Sequence, residues 1–141
     1  MLTRPNDPAP SVPPAGRGIA ILIGINEYQD GIPKLRNAVR DVQTVAQVLG
    51  DEHGYEVRLL LDQQATLAGL RGLFSSLPRE LSADIRLIIY FAGHGIAGES
   101  AADAASPQGF LIPQDAKRDD PATLLPMIEV QSLLSELPCK H

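Results

Sequence analysis

The chain has 141 residues, a net charge of -5 and 44% hydrophobic residues, which predict one domain with a hydrophobic core of ordinary size. Its 12 Lys and Arg residues are scattered, so it lacks the basic patch that nucleic acid or an anionic membrane surface requires, and we expect neither partner. No apolar run approaches the ~20 residues of a membrane span, and the amino terminus lacks the apolar core of a signal peptide. A single cysteine, Cys139, fits a reducing compartment, so we expect a soluble, cytoplasmic protein.

Residues 1–17 contain five prolines among small and polar residues. Proline interrupts helices and cannot donate to a sheet ladder, so this segment predicts a disordered or polyproline leader. A ligand for an SH3-type domain is the alternative, because such domains bind proline-rich segments. The folded domain is therefore predicted to span residues 18–141.

From Gly18 onwards, strand and helix patterns alternate along the chain. Gly18–Ile25 is an apolar run typical of a strand buried on both faces, and Tyr55–Leu61 is a second strand candidate. Between them, apolar residues recur at helical spacing over Leu35–Leu49, and Gly50 is predicted to end that helix. A second helix is predicted over Thr66–Leu77, with Thr66 as its N-cap.

The third predicted strand, Ile85–Phe91, also looks buried on both faces, and it leads into His94 between two glycines. The order β-α-β-α-β predicts a doubly wound, mainly parallel sheet, an α/β/α sandwich of the flavodoxin-like type. Because ligands of such sheets gather beyond the carboxyl ends of the strands, His94 is a candidate catalytic acid or base. The alternative is a turn histidine that is hydrogen-bonded to a carbonyl group.

The remainder of the chain predicts shorter elements. Ile96–Pro107 is expected to be a surface loop that shapes a substrate groove, and Gly109–Pro113 is a brief extended piece. Pro126–Leu137 predicts a short amphipathic helix that ends at Pro138. Because no strand pattern follows this helix, the sheet is expected to be incomplete, with the edge at Ile85–Phe91 open to a complementing segment or a dimer partner.

Four motifs together resemble the caspase-like cysteine peptidases, and more closely their metacaspase branch. They are Gly24–Tyr28, Leu35–Asp41, Tyr90–Gly95 and Gly109–Asp115. The resemblance covers residues 18–141 and implies a caspase-like fold. It also implies a Cys/His dyad that hydrolyses peptide bonds of a peptide or protein substrate, without a cofactor.

The resemblance also implies roles for particular residues. His94 would transfer protons to and from the leaving amine, and the backbone N–H of Gly95 would donate to the oxyanion. Asp41 matches the family's acid in a pocket for Arg or Lys at the cleavage position, and Leu35 stands where caspases that cut after aspartate have arginine. A basic preference is therefore expected, and the alternative for Asp41 is a solvated acid flanked by Arg40.

The largest departure from the family pattern concerns the nucleophile. In the family it ends the next apolar strand, which would begin just after His141, whereas Cys139 follows Pro138 at a helix end and is interpreted as a connector cysteine. The chain is thus expected to be the amino-terminal, histidine-bearing portion of a peptidase domain and to be inactive alone. The alternative is a non-catalytic pseudo-peptidase, an interaction module that binds through the open sheet edge or the leader.

Smaller departures from the family pattern concern the substrate pocket and the binding of metal ions. Asn37 and Ala92 stand where metacaspases commonly have glycine and serine. Only Glu129 remains of the aspartates that the family links to calcium activation, and a hard cation needs six to eight oxygens, so we predict no calcium site in this segment. No histidine, cysteine or carboxylate pair has zinc-ligand spacing, and His53 is expected to be solvated. An unrelated nucleotide-binding fold is a weaker alternative, because the phosphate-loop motif is lacking.

Overall fold

The computed structural model describes residues 16–98 and 108–139. Most of the predicted leader, and residues 99–107 of the predicted surface loop, therefore lie outside the described residues. The described helices and strands are β1 (Gly18–Gly24), α1 (Ala38–Asp51), β2 (Glu56–Leu61), α2 (Leu67–Glu80), β3 (Arg86–Ala92), β4 (Gly95–Gly98), β5 (Gln108–Leu111), β6 (Leu125–Pro126) and α3 (Met127–Ser135). Their order confirms the predicted α/β class.

β1 is the central strand of a three-stranded parallel sheet with the order β2-β1-β3. All seven β1 residues are buried, as the continuous apolar run predicts. β3 lies at the edge of this sheet, as predicted for the Ile85–Phe91 strand. Its Tyr90 is 38% exposed, so the prediction of a strand buried on both faces is wrong for β3. An apolar run indicates that both faces of a strand are suited to burial, but it does not show whether the elements that would bury them are present.

Helices cover both faces of the parallel sheet. Because successive strand residues point to opposite faces, Ile21 and Ile23 pack with α2 and α3 in the larger core, whereas Leu22 packs with Val42 of α1 in the smaller one. Phe74 of α2 is among the largest fully buried side chains. The result is the predicted α/β/α arrangement, incomplete at the β3 edge.

The ends of α1 differ from the prediction. The helix begins at Ala38 rather than Leu35, because the Leu35 N–H donates to the Asn26 carbonyl (2.9 Å) and the Val39 N–H donates to the Asn26 side chain (3.2 Å). Asn26 thus provides the cap that Asn37, at the N-cap position, does not provide with its own side chain. At the other end Gly50 lies inside the helix. In α2, by contrast, Thr66 accepts from the Gly69 N–H (3.0 Å), which confirms the predicted N-cap.

A small antiparallel sheet with the order β4-β5-β6 was not predicted. Residues 96–98, expected to begin a loop, instead belong to β4, which is too short to show a strand periodicity. The predicted extended piece at Gly109–Pro113 is confirmed in part by β5. The predicted last helix is confirmed as α3, and its Ile128 is 59% exposed.

Replacement of either of two glycines of α2 by alanine is expected to change the stability, in opposite directions for the two positions. A Cβ at Gly72 would meet nothing within 4 Å, and Gly72→Ala is expected to raise the free energy of unfolding by about 0.5–1 kcal/mol, because alanine loses less backbone entropy in a helix. Gly69→Ala is expected to lower it by roughly 1 kcal/mol or more, because the new Cβ would overlap the Gln64 carbonyl oxygen. Urea unfolding of both variants measures the two shifts, and equal effects would contradict the packing of this helix start.

Candidate active site at the carboxyl edge of the sheet

The carboxyl ends of β1 and β3 meet at one edge of the parallel sheet. Gly24 is paired with Ala92, and the Ile25 N–H donates to the Ala92 carbonyl (3.0 Å). The loop that follows β1 therefore lies beside Gly93 and His94, which follow β3. This is the position at which doubly wound sheets hold their ligands.

His94 is half-buried, and its ring is oriented by a backbone carbonyl. Its Nε2 lies 2.8 Å from the carbonyl oxygen of Pro33. Because a carbonyl oxygen can only accept a hydrogen bond, Nε2 carries the proton, and in the neutral ring Nδ1 keeps the lone pair. The hydrogen bond to a carbonyl group that the turn-histidine alternative predicts is thus present. The same hydrogen bond leaves Nδ1 as the ring atom able to exchange a proton.

Tyr28 supports His94 from the loop after β1. Its buried phenol oxygen accepts a hydrogen bond from the backbone N–H of His94 (2.7 Å), and the two ring centroids lie 4.8 Å apart. Burial raises the pKa of the Tyr28 phenol above its ordinary value, and the carboxylate of Asp62 acts in the same direction. Tyr28 therefore stays neutral near pH 7. No role was predicted for Tyr28 beyond its place in the Gly24–Tyr28 motif, because its partner lies 66 residues away.

The backbone N–H of Gly95 points away from the neighbouring strand of the small sheet. The Ile112 N–H donates to the His94 carbonyl (3.0 Å), so that carbonyl faces β5. In a trans peptide the C=O and the following N–H point in opposite directions, so the Gly95 N–H faces away from β5. Among the described residues β4 is the outer strand, so this N–H lies at the edge of the sheet that no described strand pairs with, beside His94. We call this edge the free edge of β4.

Two carboxylates, Asp62 outside the four motifs and Asp115 within them, hold loops rather than face the cleft beside His94. Asp62 accepts from the backbone N–H groups of Asn26 (2.8 Å) and Glu27 (3.0 Å), which fixes the loop after β1 against the end of β2. Asp115 accepts from the Leu67 N–H (2.9 Å), one of the unpaired donors at the start of α2. These contacts position Tyr28 and the cleft described next.

A cleft of about 660 Å³ opens beside His94. Its walls come from Ile32 and Pro33 in the first loop, from His94–Ile96, and from residues 117–121. Asp30 ties the two loops together, because its carboxylate accepts from the Arg118 N–H (2.6 Å). Asp30 and Asp119 both have positive φ, at 54° and 60°, which marks strained backbone in these walls.

Asp41 lies at the same edge of the sheet but on the other side of it. It is exposed in the first turn of α1, which packs closely on Gly24, and α1 covers the face to which Ala92 belongs. The residues that line the cleft beside His94 do not include Asp41. The two sequence-predicted site residues with reactive side chains are therefore at one edge but do not face each other across the cleft.

No thiol of the described residues lines the cleft beside His94. Cys139 is only 6% exposed and belongs to the larger core. Across residues 16–98 and 108–139, no three His, Cys, Asp or Glu side chains are grouped so that they could bind a metal ion. The helices in the same ranges are too short or too polar to cross a bilayer.

The family model of the caspase domain matches residues 17–140. The chain belongs to the caspase domain family. The fold is also similar to the crystal structure of protein GSU0716 from Geobacter sulfurreducens, with a TM-score of 0.71, 19% sequence identity, and coverage of 88% of this chain and 47% of that one. This caspase domain chain thus spans about half the length of that protein. The curated proteins contain no significant match.

Family membership confirms the resemblance to the caspase-like peptidases that the four motifs carry, and the caspase-like fold that it implied.

Proposed function

We propose that this chain is the histidine-bearing part of a cysteine-type endopeptidase domain of the metacaspase kind, which cleaves after Arg or Lys. The observation that supports this most directly is the geometry of His94. Its Nε2–H is held by the Pro33 carbonyl at the carboxyl end of β3, its Nδ1 keeps a lone pair, and the Gly95 N–H beside it faces outward.

In the proposed reaction, Nδ1 of His94 takes the proton from a cysteine thiol. The thiolate forms a bond to the scissile carbonyl carbon, and the negative charge moves to the carbonyl oxygen, where the Gly95 N–H donates a hydrogen bond. Collapse of this intermediate breaks the C–N bond, and Nδ1–H returns its proton to the leaving amine. Water then hydrolyses the thioester by the reverse use of the same groups.

The attacking thiol is proposed to belong to a cysteine other than Cys139, the only cysteine of the sequence, which is buried in the larger core. The free edge of β3 supports a docking position for the strand that carries this cysteine. A second cleft of about 310 Å³ is lined there by Leu87, Ile88 and Ile89 together with Leu134 of α3. Because successive strand residues face opposite sides, this lining covers both faces of the edge, as a pairing strand requires.

Asp41 is the proposed acid that recognises Arg or Lys before the scissile bond. Its exposed carboxylate lies on the Ala92 side of the sheet edge, close to where β1 and β3 end. A guanidinium or ammonium group that enters beside Ala92 would therefore meet a negative charge.

Replacing Asp41 by Ala in the native gene product that contains this chain is expected to lower kcat/KM for Arg and Lys reporter peptides by about 100-fold, because the substrate's charge would be left without its partner. Asp51→Ala, at the far end of the same helix, is the matched control and is expected to leave kcat/KM within twofold. Steady-state kinetics on both variants measures the effect. Equal losses in the two variants would contradict a pocket role for Asp41.

The experiment that tests the proposed function compares the 141-residue chain with the native gene product on Arg, Lys and Asp reporters. The chain alone is expected to give no turnover above background, because no thiolate reaches His94, whereas the native product is expected to cleave the Arg and Lys reporters. Two outcomes would count against the proposal: a native product that cleaves none of the reporters, or turnover by the chain alone that is lost in Cys139→Ser.

The free edge of β3 also supports a second function, that of a pseudo-peptidase that binds a partner strand without catalysis. This alternative predicts a native product that forms a stable complex but has no turnover on any reporter. It is contradicted by turnover that depends on His94.

A further inference from the structure

We infer that the cleft beside His94 binds the leaving side of the substrate and selects a large apolar side chain directly after the scissile bond. This inference rests on the proposed function, because the scissile bond is taken to lie at His94 and Gly95. It adds a second specificity site to the basic preference assigned to Asp41.

The cleft and Asp41 lie on opposite sides of the sheet edge. Ile32, Ile112 and Leu124, which line the cleft, pack with the core on the α2 and α3 face. Asp41 belongs to α1, on the other face, to which Ala92 also contributes. A peptide whose basic side chain points toward Asp41 and whose scissile bond lies at His94 therefore continues over the cleft.

The chemistry of the cleft favours an apolar side chain. Its floor is formed by aliphatic residues, and Ile96 presents 46% of its surface to solvent there. The charged residues at its rim, residues 117–120, are two cations and two carboxylates, so they give no preference for either sign of charge. Burial of a large aliphatic or aromatic side chain against Ile96 removes apolar surface of both partners from water.

The free edge of β4 can hold the peptide backbone next to the cleft. Ala97 is opposite Gly109, two residues from the pair of Gly95 and Leu111, so its N–H and C=O face the same free edge as the Gly95 N–H. An extended segment that leaves the scissile bond can therefore hydrogen-bond to Ala97 as an added strand. Gly95 has no side chain, which lets the segment approach the edge closely.

The walls of the cleft are held in place before any ligand binds. Asp30 bonds the Arg118 N–H across the two loops, and both Asp30 and Asp119 adopt positive φ, a conformation that costs free energy for residues with a side chain. Strain of this kind, maintained by surrounding contacts, is concentrated at ligand sites. A preformed wall also lowers the ordering cost of binding.

Binding of leaving-side peptides to the 141-residue chain tests the inference without any need for turnover. The probes are pentapeptides with a free amino terminus that differ only in a first residue of Leu, Gly or Asp, titrated by NMR. The Leu peptide is expected to bind about tenfold more tightly than the other two and to shift the amide resonances of Gly95, Ile96 and Ala97. Ile96→Asp is expected to weaken the Leu peptide about tenfold, and Ile128→Asp, an exposed isoleucine on α3, is the matched control.

Equal affinities for the three peptides, or equal effects of Ile96→Asp and Ile128→Asp, would overturn the inference even if the native product is an active peptidase. The peptide comparison does not depend on any variant, so misfolding of Ile96→Asp would not affect it. A Leu preference together with a native product that cleaves no reporter would contradict the proposed function instead, and would support the cleft as an apolar peptide site.

Discussion

His94→Ala in the native gene product is expected to lower kcat on Arg and Lys reporters by at least about 10³-fold, because the variant lacks the group that takes the thiol proton and returns it to the leaving amine. Within residues 16–98 and 108–139, the side-chain interactions that are lost are the ring contact with Tyr28 and the bond to the Pro33 carbonyl, and the latter is at an exposed position. The free energy of unfolding is therefore expected to change by about 1 kcal/mol or less. Steady-state kinetics and urea unfolding measure the two quantities.

His53→Ala is the matched control for this substitution, because His53 is an exposed histidine in the loop after α1. We expect it to leave kcat and KM within twofold. Wild-type turnover by His94→Ala would remove the basis of the peptidase proposal. A large loss of stability in His94→Ala would instead identify the ring as a structural element of the turn.

Gly93→Ala has the second large expected effect, and it acts through Tyr28. An added Cβ would lie 2.6 Å from the Tyr28 phenol oxygen and 2.9 Å from the Phe91 ring. Tyr28 is buried and holds the His94 N–H, so it cannot move without giving up that bond and its contact with the imidazole ring. We expect a loss of about 2–3 kcal/mol in the free energy of unfolding, from overpacking, and roughly 100-fold in kcat, from displacement of His94.

Two variants separate these causes. Gly72→Ala makes the same exchange in open space on α2 and is expected to leave kcat unchanged. Tyr28→Phe keeps the ring but removes the acceptor of the His94 N–H, so it is expected to cost about 1–2 kcal/mol and a smaller part of the kcat loss. If Gly93→Ala retains wild-type kcat, Tyr28 does not position His94.

The four motifs that carried the family resemblance divide into two physical roles. His94 and Gly95 face the cleft or the free sheet edge, and they have the chemistry that acyl transfer needs. Asn26 and Asp115 instead satisfy unpaired backbone groups at the starts of α1 and α2. These helix starts hold the loops around the cleft, so residues that do no chemistry are needed for its shape.

Local patterns in the sequence were sufficient to predict the order of the three parallel strands and the three helices, and with it the place of His94 at the end of a strand. These features depend on interactions within a few residues: the continuous apolar run of β1, the helical spacing of α2, and the Thr66 cap, whose partner is three residues away. The family motifs added the candidate roles of His94, Gly95 and Asp41. Signals of this kind can be recognised within a short segment of the sequence.

The contacts between residues far apart in the sequence could not be predicted and are seen only in the tertiary structure. Tyr28 and His94 are 66 residues apart, and Asp30 and Arg118 are 88 apart, so no local pattern relates them. The start of α1 was shifted by Asn26, a partner that lies 13 residues before Val39 and that the fold brings to the helix start. The periodicity of the sequence does not show which residues the chain topology brings within hydrogen-bond distance. Contacts of this kind form the cleft beside His94.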